Sequence, residues 1–311
     1  DVDEELAAET GDEYDVPYTT DYRDIVSADI DCVVISVPNK FHNTIGVEAM
    51  ESGKHVFCEK PLARNPEEGQ EMVEAAAEND VTLKVGSNLR YFESVRKAKE
   101  LLDESAIGDI LFLRAWIGND GEQLKDSWFA DEELSGGGTF LDNGCHVLDI
   151  SRWFLGEVKE GTGYVSTLHH PIDVEDNGFG LFQFDGGQTV SIQSSWTEWD
   201  DYMYMEIYGS DGSIKVDARM PNSKVTLSRT NGYRKVFDFS KLSPQSYDME
   251  FDTHMQTLLD QREPEPSGFD GLRAVEMAHG IYEAAEEGRT VDLAPDQELR
   301  SFSTTVPLQD D

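Results

Sequence analysis

Three short apolar runs alternate with two helical patterns between residues 30 and 85, and this alternation constrains the fold most strongly. The first run, residues 30–37, reads IDCVVISV and predicts a strand buried on both faces of a parallel sheet. Helices are predicted at residues 44–52 and 66–79, and further strands at residues 55–58 and 81–85. The order β-α-β-α-β is half of a doubly wound, Rossmann-type sheet.

Strand patterns dominate the rest of the chain, where turn signals such as Asp185-Gly186-Gly187 and Asn231-Gly232 predict mainly antiparallel pairing. The predicted strands are residues 109–116, 162–168, 178–184, 189–196, 202–208, 213–216, 225–228 and 233–239. The predicted helices are residues 88–103, one around Asp142 that ends near Gly156, and residues 247–260 and 271–287. The fold class is therefore α/β plus α+β, with an incomplete Rossmann-type parallel sheet in residues 1–87. A mainly antiparallel open-sheet substrate domain follows in residues 88–311, and its C-terminal segment is expected to pack back on the first domain.

The charge balance limits the partners. The chain carries 63 acidic and 25 basic residues, a formal net charge of -38, which repels nucleic acid and anionic membranes alike. The acids are scattered, lysine is scarce, and 38% of the residues are hydrophobic, which predicts a folded protein of a halophile's cytoplasm. Three cysteines without paired spacing predict buried thiols of a reducing compartment.

A glycine-rich turn precedes the candidate catalytic residues. Asp142, His146 and Asp149 follow Ser135-Gly136-Gly137-Gly138 at helical spacing, so a carboxylate and an imidazole are expected to be neighbours. Imidazole titrates near neutrality, which suits removal of a hydroxyl proton. Gly144 inside this helix predicts a close approach to its bare face.

Two other interpretations of these residues stay open. His146 alone would be an ordinary helix histidine with satisfied hydrogen bonds. Asp142, His146 and Asp149, with His42 as a further donor, also offer nitrogen and oxygen ligands to zinc or iron. The metal interpretation ranks below a hydride-transfer site, because no cysteine lies at ligand spacing, and no metal is predicted.

Further polar residues follow the predicted parallel strands. The segments at residues 38–42 and 59–61 lie where ligands bind in such sheets, beyond the carboxyl ends of the strands. The G-x-G-x-x-G turn that should come first, and hold a pyrophosphate on a helix N-terminus, is absent from the sequence.

The motif Glu59-Lys60-Pro61, together with the spacing of Asp142 and His146, resembles the Gfo/Idh/MocA family of nicotinamide-dependent sugar and polyol dehydrogenases. The sequences VEDNG at residues 174–178 and TEW at residues 197–199 add to this resemblance. The resemblance implies that Lys60 contacts nicotinamide and the substrate hydroxyl, and that Asp142 and His146 supply the base and a substrate contact. It also implies that one strand, the glycine turn, one helix and most of another strand lie upstream of Asp1.

The resemblance assigns the remaining site residues. The expected cofactor contacts, for NAD with NADP left open, are Asp1, Ser36, Pro38, Asn39, His42, Glu59, Lys60 and Trp128. The expected substrate contacts are Asn88, Arg90, Tyr91, Asp142 and His146. Asp1 would bond the ribose hydroxyls and favour NAD. Relatives often have arginine beside the tryptophan, where this chain has Phe129.

The predicted function is interconversion of a secondary alcohol and a ketone on a sugar, polyol or nucleotide-sugar. In that reaction Lys60 polarises the hydroxyl and His146, oriented by Asp142, takes the proton. The rival interpretation is a non-catalytic, sugar-sensing regulatory protein of the same fold, since fold does not settle function. A cytoplasmic homodimer or homotetramer, formed through the second-domain sheet, is predicted as well.

Overall fold

The computed structural model describes residues 1–124, 127–200, 202–218, 223–241, 246–260 and 262–296. Its α-helices are α1 (Glu4–Tyr14), α2 (Tyr22–Val26), α3 (His42–Glu51), α4 (Pro66–Glu78), α5 (Glu93–Asp103), α6 (Glu132–Ser135), α7 (Thr139–Asp142), α8 (Gly144–Leu155), α9 (Ser246–Leu259) and α10 (Gly268–Glu287). Its strands are β1 (Cys32–Ile35), β2 (His55–Glu59), β3 (Leu83–Gly86), β4 (Ile110–Gly118), β5 (Val158–Ser166), β6 (Asn177–Phe184), β7 (Thr189–Ser195), β8 (Tyr202–Gly209), β9 (Gly212–Asp217), β10 (Lys224–Arg229), β11 (Arg234–Asp238) and β12 (Val291–Asp292).

The first sheet is parallel in the order β1-β2-β3, as the sequence predicts, and Val56 pairs with Val33 on one side and Leu83 on the other. Helices α3 and α4 pack against it, and Asn65 caps α4 by accepting the Glu68 amide proton. Burial of β1 on both faces is wrong, because Val34 is 51% exposed. The alternation of Val33, Val34 and Ile35 leaves one face of this strand open to solvent.

Three predicted helices differ from those observed. A 3₁₀-helix, Asn39–Phe41, leads into α3, so helical structure begins before residue 44. The helix predicted at 88–103 is a 3₁₀-helix, Asn88–Tyr91, followed by α5, because Phe92 is extended with ψ 129°. The helix around Asp142 is divided at Asn143 into α7 and α8.

The second sheet has nine strands in the order β11-β10-β9-β8-β4-β7-β6-β5-β12. All of its neighbours are antiparallel except β4 and β7, which run parallel, so the sheet is mixed and mainly antiparallel. Helices α7 and α8 pack on its central strands and α10 packs on β5. The inner face of the sheet and these helices enclose Phe140, Phe182 and Ile192, which belong to the same continuous core as Val56 and Leu83 of the first sheet.

Helix α10 contacts both sheets, and α9 contacts the first. Helix α10 packs on α4 and β3 of the first sheet and on α8 and β5 of the second, and a capping box of Ser267 and Asp270 begins it. Helix α9 lies beside the 3₁₀-helix that follows β3, and its Glu250 forms a buried ion pair with Lys84 at 3.3 Å. None of the described helices is long and apolar enough to cross a membrane.

The Lys84–Glu250 pair gives a prediction for stability. Burial lowers the pKa of Lys84 and raises the pKa of Glu250 to about 7, so burial outweighs their attraction in both groups. Lys84→Met should lower the free energy of unfolding by about 3 kcal/mol, because it leaves an unpaired carboxyl with 2% side-chain exposure. The double variant Lys84→Met/Glu250→Leu should recover most of that loss, as urea unfolding would measure. An additive loss in the double variant would contradict this account.

Candidate active site

Lys60 and Asp142 meet where the loop after β2 contacts the end of α7. Lys60 follows β2, and its Nζ donates hydrogen bonds to Asp142 Oδ1 at 2.7 Å and to the Asp142 carbonyl oxygen at 3.2 Å. Burial opposes the charge on Lys60, but the Asp142 carboxylate outweighs burial and raises the pKa of the ammonium group. An ammonium has three N–H donors, so one remains for a ligand oxygen.

His146 lies on α8, and its side chain is buried close enough to Lys60 for the ammonium to affect its ionisation. Burial first, and the Lys60 charge second, lower the pKa of His146 well below 6.5, so the ring is neutral at neutral pH. Its Nδ1 has no hydrogen-bond partner among the described residues, which is costly for a buried polar atom. A neutral imidazole with an unpaired nitrogen can accept a proton.

A histidine pKa measurement should show this neutrality directly. We expect the ring carbon shifts of His146 to stay constant from pH 8 down to well below 6.5, because burial disfavours the imidazolium ion. The folded-state pKa is depressed, so the contribution of His146 to stability is present above pH 6.5 and is lost as the pH falls. Assignment of the NMR signal by comparison with His146→Gln provides the control. A midpoint at 6.5 would contradict the prediction.

The expected hydrogen bond between Asp142 and His146 is not among the bonds of the described residues. Asp142 bonds Lys60 instead, although Asn143 between α7 and α8 keeps helical dihedral angles (φ -80°, ψ -40°). The predicted close approach at Gly144 is also wrong, since a Cβ there would lie 3.5 Å from Phe140, an ordinary contact.

The close approach occurs in the glycine turn before α7. A Cβ on Gly138 would lie 1.9 Å from the Glu175 carbonyl oxygen, so a side chain is excluded. The buried Glu175 carboxylate accepts the amide protons of Gly138 at 2.7 Å and Phe140 at 2.8 Å, and the Tyr282 hydroxyl proton at 2.8 Å. Burial raises the pKa of Glu175 to about 7. Glu175 and Tyr282 therefore hold the turn that carries Asp142.

Two of the expected cofactor residues connect loops of the protein. Asn39 is buried and donates its side-chain N–H to the Ser135 carbonyl oxygen at 2.8 Å, which joins the loop after β1 to the glycine turn. The buried ring of His42 lies 2.8 Å from the Val37 carbonyl oxygen and 3.0 Å from that of Pro61. Burial lowers the pKa of His42, and a neutral ring has one N–H, so it donates a hydrogen bond to only one of these two oxygens.

The other expected cofactor residues of the first domain lie at the carboxyl ends of the strands or at the terminus. Ser36 is exposed and Pro38 half-buried after β1. Glu59 ends β2, and its carboxylate lies 3.1 Å from a Cβ built on Gly86, so it lies over the neighbouring strand. Asp1 is exposed, and its Oδ1 accepts the Asp3 amide proton at 2.9 Å.

Trp128 opens a short 3₁₀-helix in the second domain. It stacks on Phe129 with ring centroids 3.9 Å apart, so the phenylalanine that replaces the relatives' arginine serves as a packing partner. Whether Trp128 reaches a cofactor stays a prediction.

The three expected substrate residues after β3 contact protein groups. Arg90 is buried and binds Asp149 through Nε at 2.7 Å and Nη2 at 2.5 Å. Tyr91 donates its hydroxyl proton to the Glu265 carbonyl oxygen at 2.7 Å, and Asn88 lies 3.5 Å from the Ser246 hydroxyl. Asp142 and Asp149, two of the conceivable metal ligands, are thus ion-paired with Lys60 and Arg90. Among the described residues, no three His, Cys, Asp or Glu side chains cluster as a metal site would require.

Comparisons with known proteins agree with this architecture. Residues 1–87 match the oxidoreductase family with an NAD-binding Rossmann fold, and residues 95–215 match the GFO/IDH/MocA C-terminal domain. The chain superimposes on levoglucosan dehydrogenase in complex with NADH with a TM-score of 0.88 at 26% identity, covering 95% of this chain and 89% of that one. The complex of that enzyme with NADH and levoglucosan gives a TM-score of 0.87 at 26% identity, over 93% and 87%.

Two relatives by sequence are sugar dehydrogenases. Levoglucosan dehydrogenase of Pseudarthrobacter phenanthrenivorans is 31% identical over 68% of this chain, an alignment that spans 62% of the relative's own length. The NADP-dependent D-xylose 1-dehydrogenase of Haloarcula marismortui is 30% identical over 90% of this chain and 79% of its own. With both domains matched in order, and a relative that is 30% identical over 90% of this chain, the chain belongs to the Gfo/Idh/MocA family.

Proposed function

We propose that this protein is an NAD(P)-dependent oxidoreductase that interconverts a secondary alcohol and a ketone on a sugar or polyol, nucleotide-sugars included. The observation that carries the proposal is the Lys60–Asp142 ion pair beside a neutral His146. An ammonium donor and a neutral base side by side are the groups that alcohol oxidation requires.

Asp142, Lys60 and His146 have separate roles in the proposed reaction. Asp142 holds Lys60 in place, and the third N–H of Lys60 donates to the substrate oxygen and polarises the carbon–oxygen bond. His146 accepts the hydroxyl proton, and the electron pair of the broken O–H bond forms the carbonyl. In the reductive direction the imidazolium ion returns that proton. A bound nicotinamide supplies the exchange of hydride with the substrate carbon.

The described residues of the first domain fit a bound dinucleotide. The loops after β1 and β2 and the residues after β3 lie at one edge of a parallel sheet, which is where such folds bind ligands. Glu59 and Lys60 supply an acceptor and a donor there. NAD is the proposed cofactor, since a structural relative binds NADH. NADP is the alternative, because the related D-xylose dehydrogenase depends on NADP.

The substrate class follows the relatives, whose names specify levoglucosan and D-xylose as substrates. Both molecules are uncharged polyhydroxylated rings, so the net charge of -38 ranks such substrates above nucleotide-sugars, which carry phosphate.

The test is a spectrophotometric screen of the complete gene product with a panel of sugars, polyols and nucleotide-sugars. NAD and NADP are supplied separately, and reduction is followed at about 340 nm. We expect one substrate group to reduce the cofactor at a rate that falls strongly in His146→Ala. Cofactor and sugar binding by calorimetry without turnover would favour the sugar-sensing regulatory protein instead.

We further propose that the outer face of the nine-stranded sheet is the interface of a homodimer or homotetramer. That face exposes Phe112, Phe179 and Leu181, and Phe112 stacks on Tyr208 with centroids 4.6 Å apart. A sheet face with several exposed aromatic and aliphatic side chains favours association. Phe179→Asp/Leu181→Asp should reduce the mass measured by light scattering to that of one chain. A wild-type monomer would overturn this proposal.

We propose a cytoplasmic location because the cysteines are free thiols. Cys58 and Cys145 are buried and Cys32 is half-buried, and all three are free. Free thiols are typical of a reducing compartment. Fractionation of cells that express the tagged gene would test the location.

A further inference from the structure

We propose that Arg90 and Asp149 are positioning residues, which fix the rotation and height of α8, and therefore the place of His146, relative to the carboxyl end of β3. Neither residue touches the substrate in this account. The inference rests on the proposed function, because His146 is the group whose place matters.

The pair joins the two halves of the site directly. Asp149 accepts two parallel hydrogen bonds from Arg90, from Nε at 2.7 Å and from Nη2 at 2.5 Å, and a third from the Ser87 hydroxyl at 2.8 Å. The side chains of Arg90 and Asp149 are 4% and 5% exposed. Ser87 follows β3 immediately, so Asp149 is tied to the sheet edge that also carries Lys60 at the end of β2.

Helical geometry transmits this restraint to His146. Residues three apart lie on the same side of a helix, about 4.5 Å apart along its axis, so fixing Asp149 fixes the direction in which His146 points. A side-chain tip lies about 5–6 Å from the helix axis, and a rotation of about 10° would move it by about 1 Å. A misplacement of about 1 Å can cost about 10²-fold in rate.

The chemistry of the pair suits a restraint better than a ligand site. A bidentate guanidinium–carboxylate pair fixes both distance and orientation, which an ammonium group would not do. Arg90 also lies 3.5 Å from Asp270 and 3.6 Å from Glu265, and its guanidinium packs over the Trp153 ring. Asp270 has a second partner in Arg152, so removal of Arg90 does not leave Asp270 without a cation.

The experiment separates positioning from stability. Arg90→Met and Asp149→Leu should each lower the melting temperature, because each leaves a buried group unpaired. The double variant should melt near the wild type, since two apolar side chains replace both charges. We expect its turnover to remain at least about 10-fold below wild type, with the KM for the cofactor little changed, because His146 is no longer held. Arg90→Lys keeps the positive charge but loses the bidentate hydrogen bonds of the guanidinium group, and it should show an intermediate turnover.

The control is Lys97→Met/Glu100→Leu, which replaces an ion pair on α5 and should keep wild-type turnover. A second readout is amide exchange of α8 in the ligand-free protein, which should accelerate at His146 in the Arg90→Met/Asp149→Leu variant and not in the control. Wild-type turnover and unchanged exchange in the first double variant would overturn the inference. If the complete wild-type protein has no dehydrogenase activity, the proposed function fails, and the exchange data still decide whether the pair holds α8.

Discussion

Lys60→Ala and His146→Ala should each lower turnover about 10²-fold or more, while the protein stays folded. In the proposed reaction Lys60 supplies the free N–H that polarises the substrate oxygen, and the neutral ring of His146 takes the proton. Because both act on one proton-transfer step, the double variant should lose less than the product of the two single losses. Steady-state rates with the best substrate from the screen measure the effect.

The control for this prediction is Lys97→Ala. Lys97 pairs with Glu100 at 2.5 Å on α5, so its removal also breaks an ion pair but leaves Asp142 and His146 unaltered. Lys60→Ala deprives Asp142 of its partner, and a melting curve of each variant distinguishes loss of fold from loss of chemistry. Turnover equal to wild type in Lys60→Ala or His146→Ala would end the assignment of roles.

The order of elements was predictable because it depends on local patterns. The β-branched run at residues 30–37 and the strands at residues 55–58 and 81–85 formed one parallel sheet as expected. The exposure of one face of this strand was not predictable from its composition. Val34 is as apolar as Val33, and only the packing of neighbouring elements decides which of the two faces water.

The structure brings Lys60, Asp142 and His146 close together, but the contacts among them differ from those that the sequence predicts. The spacing of Asp142 and His146 predicted a bond within one helix, but Lys60, 82 residues earlier in the chain, takes the carboxylate instead. A buried ammonium attracts a carboxylate more strongly than a neutral imidazole does. Helical spacing carries no information about such a distant competitor.

Arg90 and Glu175 also have partners that are distant in the chain and that local sequence patterns do not reveal. An arginine after a strand suits a substrate contact and a buried ion pair equally well in sequence, and only the fold shows the pair with Asp149. The substrate contact of Arg90 stays a prediction. In the sequence, Glu175 is distinguished only by the VEDNG resemblance. It accepts a hydrogen bond from Gly138 in the glycine turn, and only the fold brings these two residues together, because they are 37 positions apart in the chain.

The largest effect on stability should come from salt. We expect the melting temperature to rise on the order of 10 °C between dilute buffer and molar KCl, because a net charge of -38 repels itself. Two like charges about 10 Å apart in water repel by about 0.4 kcal/mol, and many such pairs add to several kcal/mol. One kcal/mol corresponds to roughly 2–4 °C for a domain of this size class, and the screening length falls from about 10 Å to about 3 Å between 0.1 M and 1 M salt.

Helix α1 offers the matched variant for this prediction. It holds exposed acids, Glu9 and Glu13 among them, and no basic residue in its last turn. Glu9→Lys/Glu13→Lys should raise the melting temperature in dilute buffer and flatten its rise with KCl, because cations near a helix C-terminus are favourable and the repulsion falls. Sucrose at equal osmolality is the control for solute exclusion, which strengthens burial without screening charge. A melting temperature that stays flat with KCl, or that sucrose raises equally, would mean that local ion pairs such as Arg152–Glu157 already compensate the acids.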